Sequence, residues 1–278
     1  MKSFLKIKDH SVSKEEFTIY FDEEMQLYQT KPVPENLGAY YESENYISHS
    51  DASRSIVDKM YQWVKGYSLK KKVQLIKKLN SGSTGKLLDI GAGTGDFLIA
   101  AKNAGWSVVG IEPSIHAKER AKEKGLLLLS ELSDLSKENT FDVITMWHVL
   151  EHVPNLDEYI IAIKSHLNNN GTLVVAVPNF NSYDASVYKS FWAAYDVPRH
   201  LWHFSQTSIQ KLFGKHGMKV VNTLPMVFDS YYVSLLSEKY KTGSSNYIKA
   251  FATGLRSNLK AKRSGEYSSL IYVIKREN

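Results

Sequence analysis

The chain has 278 residues, 43% of them hydrophobic and 23% charged, a composition that supports a packed core and excludes intrinsic disorder. It contains no cysteine, which rules out a disulfide framework, a thiolate metal site and a cysteine nucleophile, and a cytoplasmic setting is expected. The formal net charge of +6 is spread over short groups at residues 70–72, 77–78 and 260–263, the pattern of solvated helix faces rather than of a nucleic-acid surface.

The N-terminal MKSFLKIKDHSVSKEEF lacks the apolar run of an export signal, and no window approaches the roughly 18 apolar residues of a membrane span. Neither export nor insertion is expected. Residues 1–68 are assigned to an N-terminal extension that covers the cofactor. Within it PENLGAYYESENYISHS carries Tyr40, Tyr41, Tyr46 and His49, whose rings could close over a bound cofactor or simply pack on the surface. From residue 53 to 79 apolar residues, among them Ile56, Trp63, Tyr67, Val73 and Ile76, keep near-helical spacing, with Gly66 as a break point.

A core spans residues 69–225. KLLDI at residues 86–90 reads as a strand buried on both faces. There follow a helix over 96–104, strand 107–111, helix 114–124, strands 126–129 and 141–146, helix 156–167 and strand 172–177. Strands alternating with helices predict a doubly wound parallel α/β sheet. A helix over 205–216 and a strand over 219–224 complete the core. Residues 226–267 form an aromatic-rich, partly helical insertion, suited to a substrate lid or a dimer surface, and residues 268–278 return to the sheet with a last strand at 268–274.

In LLDIGAGTGDFL, Gly91, Gly93 and Gly95 make a tight turn after the first core strand, with Asp89 just ahead of it. A pyrophosphate would be repelled by that carboxylate, and the spacing is G-x-G-x-G rather than the dinucleotide pattern. A nicotinamide-dependent oxidoreductase is therefore the weaker alternative. Glu112 ends the next strand roughly 20 positions after the loop, where a carboxylate can bind both ribose hydroxyls.

On these residues the chain resembles the class I S-adenosylmethionine-dependent methyltransferases, and the likeness continues through FDVITMWHVLEHVPN and LNNNGTLVVAVPN. The resemblance implies a seven-stranded Rossmann-like sheet with its last strand antiparallel, an N-terminal helical cover and a C-terminal lid. It implies S-adenosyl-L-methionine as cofactor, S-adenosylhomocysteine as product, and roles at Asp89, Gly91, Gly93, Gly95 and Glu112. Ser130, Glu131 and Leu132 would cover the adenine. Phe97, Pro113, Trp147 and Tyr46 complete the expected cofactor contacts. The segment around Tyr40 to Tyr46 is similar to one found ahead of the core in a bacterial subgroup tied to glycan and secondary-metabolite genes, of methyltransferase types 11, 12 and 23.

The fourth strand runs into His148, Glu151 and His152, which share one face if the segment turns helically. These groups could serve the local backbone, or His148 or His152 could be a general base. The run also resembles the E-x-x-E-H metal pattern of quinone O-methyltransferases and small-RNA 3′-end methyltransferases, with His148 in place of the first acid. Methyl transfer needs no metal, and no ligand is assigned to one. In DVPRHLWHFS, His200 is the further candidate base, while Arg199 and His203 could form a structural polar knot. The expected function is methyl transfer to a small-molecule hydroxyl by a monomer or homodimer. Nucleic-acid methylation and a non-catalytic cofactor-binding module are the alternatives.

Overall fold

A computed structural model describes residues 2–41, 56–244 and 246–277. Three strands come first: β1 (Lys2–Lys8), β2 (Glu16–Asp22) and β3 (Leu27–Lys31), paired antiparallel in that order. Phe17 and Ile19 alternate inward against Ile7, a period of two that makes strands and not helices. The expected helical cover is corrected accordingly: within the described part of the extension only a 3-10 turn (Leu37–Tyr41) and the start of α1 (Ile56–Leu79) are helical. The helix α1 runs unbroken past Gly66, because that glycine is exposed with open space around it and costs only about 1 kcal/mol there.

The core follows with β4 (Lys86–Ile90), α2 (Asp96–Asn103), β5 (Ser107–Ile111), α3 (Ile115–Glu123), β6 (Phe141–Trp147), α4 (Leu156–His166) and β7 (Leu167–Pro178). After it come α5 (Tyr183–Tyr188), the two-residue β8 (Trp202–His203), α6 (Gln206–Gly214) and β9 (Met218–Pro225). The chain ends in α7 (Asp229–Thr242), α8 (Tyr247–Ser264) and β10 (Ser269–Arg276). Strand β8 adds to β3 and ties the N-terminal sheet to the core.

The main sheet has the order β5-β4-β6-β7-β10-β9, parallel except for β10, which runs antiparallel between β7 and β9. It has six strands where seven are expected. Residues 126–129 reach the edge only through a bridge between Ile111 and Leu129, while Leu126 turns inward and Leu127 is left 86% exposed. One face of the sheet packs Leu88, Ile144 and Val175 against Ile160 of α4 and Leu212 of α6. The other sets Leu87, Val143 and Val174 against Ile76 of α1 and Leu98 of α2. Among the described residues no helix is long and apolar enough to cross a membrane.

Candidate active site

Side chains alternate along a strand, so Asp89 shares a face with Leu87, and Thr145 with Val143. The register of the parallel pair sets Asp89 opposite Thr145. Thr145 Oγ1 donates a hydrogen bond of 2.6 Å to Asp89 Oδ1. Burial pushes the Asp89 carboxyl up to about 7, against that bond and the nearby Lys72 ammonium. Lys72, reaching in from α1, lies 4.1 Å over the Trp147 ring, and burial lowers its pKa while Asp89 and Asp229 oppose the shift.

The loop after β4 has all three glycines at positive φ: 72° at Gly91, 54° at Gly93 and 79° at Gly95. Two of them are also demanded by packing. A Cβ on Gly91 would come within 2.3 Å of Val149 Cγ2, and one on Gly95 within 2.5 Å of Leu126 Cδ1. At Gly93 a Cβ would meet open space, so this is the part of the loop left clear for a ligand. Glu112, 9% exposed at the end of β5, accepts from Gly93 N–H at 2.8 Å and from Ser114 N–H at 2.9 Å. The two acids thus stand at the carboxyl ends of adjacent strands, on either side of the loop, where open α/β sheets bind ligands.

At the end of β6 the backbone turns through His148 at φ 58°, a left-handed conformation costing roughly 1–2 kcal/mol for a residue with a Cβ. Two carboxylates hold it there. Its Nδ1–H donates to Glu151 Oε1 at 3.3 Å and its Nε2–H to Asp229 Oδ2 at 3.0 Å, the latter from α7. Burial pushes the ring down, but these two hydrogen bonds and the charges behind them outweigh it and raise the pKa to about 10. His148 is an imidazolium at neutral pH with both protons committed, so it has no lone pair with which to act as a base.

His152 is differently placed. Its Nδ1–H donates to the Arg199 carbonyl at 3.0 Å and lies 2.9 Å from the Tyr41 hydroxyl, which leaves the Nε2 lone pair outside these bonds. His200 stacks edge-on against it at 4.6 Å and donates Nδ1–H to the Ala194 carbonyl at 2.8 Å. Burial, with the neighbouring His152 adding to it, holds the His200 pKa well below 6.5. Glu151 is 1% exposed, and its Oε2 has no hydrogen-bond partner among the described residues. Glu151, His152 and His200 offer ligand atoms within 4.8 Å of one another.

The remaining predicted positions differ in burial. Phe97 is buried and meets Trp147 edge-on at 5.6 Å. Pro113 and Glu131 are exposed, and Leu132 is buried in the principal core with Ile111 and Leu135. Ser130 receives Lys118 Nζ at 2.6 Å. His203 bonds Thr30 Oγ1 at 2.9 Å, which ties the N-terminal sheet to the neighbouring loop, and Arg199 pairs with Asp196 at 2.6 Å within that loop. Tyr46 and His49 lie outside the described residues. Tyr41, one of the rings expected to close over the cofactor, reaches His152, whereas Lys72, Thr145 and Asp229 come to the site without having been singled out for it. Of these only Thr145 had a signal, since the strand alternation and the Asp89 register bring it there.

The profile of the methyltransferase-domain family matches residues 62–223, more than half of the chain. The chain belongs to that family, and S-adenosylmethionine is its cofactor. Among curated proteins, the ubiquinone biosynthesis O-methyltransferase of Rickettsia conorii is 26% identical over 140 residues, 48% of this chain and 48% of its own length. That of Haemophilus ducreyi is 36% identical over 107 residues, 34% of this chain and 45% of its own. The chain thus spans about half the length of these relatives. Among solved structures, the magnesium protoporphyrin IX methyltransferase of Synechocystis with bound S-adenosylhomocysteine superimposes with a TM-score of 0.55 at 16% identity, covering 86% of this chain and 97% of that one. The plantazolicin methyltransferase, also holding S-adenosylhomocysteine, gives 0.55 at 14% identity, covering 87% and 94%. At such identities these likenesses speak for the methyltransferase fold alone.

Proposed function

We propose that this methyltransferase domain transfers the sulfonium methyl of S-adenosylmethionine to a hydroxyl of a small molecule, with His152 as the proton acceptor. The observation that carries the reading is the Nε2 lone pair of His152, which takes part in no hydrogen bond among the described residues while Nδ1–H is held by the Arg199 carbonyl. The nucleophilic oxygen forms a bond to the methyl carbon as the sulfur–carbon bond breaks. The hydroxyl proton passes to His152 Nε2, and the sulfur leaves as the neutral thioether. The protein's part is alignment and proton removal.

In this reading Asp89 receives the ammonium of the methionine moiety and Glu112 receives the ribose hydroxyls. Doing so requires Glu112 to exchange its bond from Gly93 N–H, at the glycine of this loop that leaves open space. Phe97 and Trp147 wall the cofactor, and Pro113, Glu131 and Leu132 lie on the adenine side. The protonated His148 holds the β6 turn and fixes Glu151, so it acts as a positioning residue. His200, buried behind His152, sets the orientation of that ring. A hydroxyl acceptor is supported by the curated relatives, which are named O-methyltransferases.

A second reading has its own observation. A buried carboxylate oxygen without a hydrogen-bond partner among the described residues sits with two histidines whose Nδ1 atoms are already engaged by carbonyls, the outer contacts that orient metal-bound imidazoles. The residues present therefore fit a divalent cation, which Glu151, His152 and His200 would hold. When bound it would lower the pKa of an acceptor hydroxyl. The two readings separate in one assay. Purified protein is given methyl-labelled cofactor and a panel of catechols, phenols, amines and RNA, with and without EDTA. Label is expected in methyl ethers of the hydroxyl compounds and unchanged by EDTA if His152 is the base. Loss of labelling with EDTA, restored by a divalent metal, would assign His152 to the metal instead. Labelling confined to amines or RNA would overturn the hydroxyl reading.

A further inference from the structure

Helix α8 is built the wrong way round for a helix that only packs on its own domain. Its inward positions are small or polar: Ala250, Thr253, Gly254, Ser257, Asn258 and Ala261 are all buried. Gly254 allows the close approach, since a Cβ there would meet the Tyr231 ring of α7 at 2.8 Å. The large apolar residues face solvent instead. Ile248 is 85% exposed, Phe251 60%, Leu255 39% and Leu259 52%, recurring at i, i+3, i+7 and i+11 along one stripe. Tyr247 adds an exposed ring at its start.

The charges are equally one-sided. Across its 18 residues α8 carries Lys249, Arg256, Lys260, Lys262 and Arg263 and no acidic residue. Lys249 pairs with Glu238 at 3.2 Å, and Lys260 lies 4.0 Å over the Tyr183 ring. Arg256 and Arg263, seven residues apart, line the border of the apolar stripe, and Lys262 falls within it.

We propose that α8 docks on an anionic lipid surface, lying in the plane of the headgroups with Ile248, Phe251, Leu255 and Leu259 buried and its cations against lipid phosphates. An apolar stripe flanked by basic residues on one helix is the signature of such interfacial binding. A second copy of the chain fits the same face poorly, because a symmetric contact would bring together two sets of the three cations Arg256, Lys262 and Arg263. The proposal is independent of the acceptor and of the base.

The test is flotation of the full chain with vesicles of phosphatidylcholine alone or mixed with phosphatidylglycerol. Binding is expected only to the mixed vesicles and should fall with added salt. The double variant I248S/F251S is expected to weaken it about 100-fold, and R256E/R263E to abolish the preference for the anionic lipid. Both pairs of positions are exposed, so unchanged thermal melting and unchanged S-adenosylhomocysteine binding serve as folding controls. Absence of flotation with the mixed vesicles at low salt would overturn the proposal. So would flotation indifferent to both variants, or a chain dimer that I248S/F251S dissociates while lipid binding is nil.

Discussion

Glu112→Ala is expected to weaken S-adenosylhomocysteine binding by at least about 100-fold, since two charge-assisted hydrogen bonds to the ribose are each worth roughly 1.5–3 kcal/mol and tenfold in affinity corresponds to about 1.4 kcal/mol. The carboxylate also fastens the loop through Gly93 N–H and Ser114 N–H, so part of the loss would come from a loosened loop. Glu112→Gln separates the two contributions. The amide oxygen can still accept from a backbone N–H, but it brings no charge to the ribose. An intermediate affinity for Gln with unchanged melting would assign most of the effect to the ligand. Equal losses in Ala and Gln, accompanied by lower melting temperatures, would assign it to the loop.

His152→Asn is expected to lower kcat about a thousandfold with little change in the affinity for cofactor, within the range that a positioned general base contributes. The reason for choosing His152 over its neighbours lies in where their protons are held. His148 spends both ring protons on Glu151 and Asp229, and its pKa of about 10 keeps it charged across the assay range. His200 is neutral but sits 8% exposed behind the His152 ring. His148→Asn should therefore impair activity by displacing Glu151 and the β6 turn. A His152→Asn enzyme that keeps its rate would assign the proton elsewhere.

The main sheet was legible because parallel strands buried on both faces are short, continuous apolar runs, as in Leu87–Leu88 and 172–177, and because the glycine loop and Glu112 mark strand ends. That logic fails at the N-terminus. Phe17 and Ile19 do alternate, but strands β1 to β3 are short and polar on their outer side, and the more conspicuous helical periodicity after residue 53 drew the whole extension toward a helical reading. The seventh strand fails for the opposite reason. Residues 126–129 have strand-like composition, yet packing of Leu126 against the loop leaves only Leu129 at bridging distance. Within the cleft, the spacing of His148, Glu151 and His152 announced a cluster, but not the sense of each ring. Asp229 decides the state of His148, and it arrives from α7, with no sequence relation to its partner. Lys72 reaches the site from α1, a helix whose charged residues read as a solvated face.

Titration of the protein with S-adenosylhomocysteine at several pH values tests the cofactor assignment most directly. The buried Asp89 carboxyl titrates near 7 because burial disfavours its charge, and an ammonium seated beside it stabilises the ionised form. Affinity is therefore expected to rise as pH increases from about 6 to 8, with a proton released on binding below that range's upper end, and Asp89→Asn should bind more weakly and lose the dependence. Binding that is indifferent to pH over this interval and unaffected by Asp89→Asn would contradict the placement of the methionine moiety against Asp89.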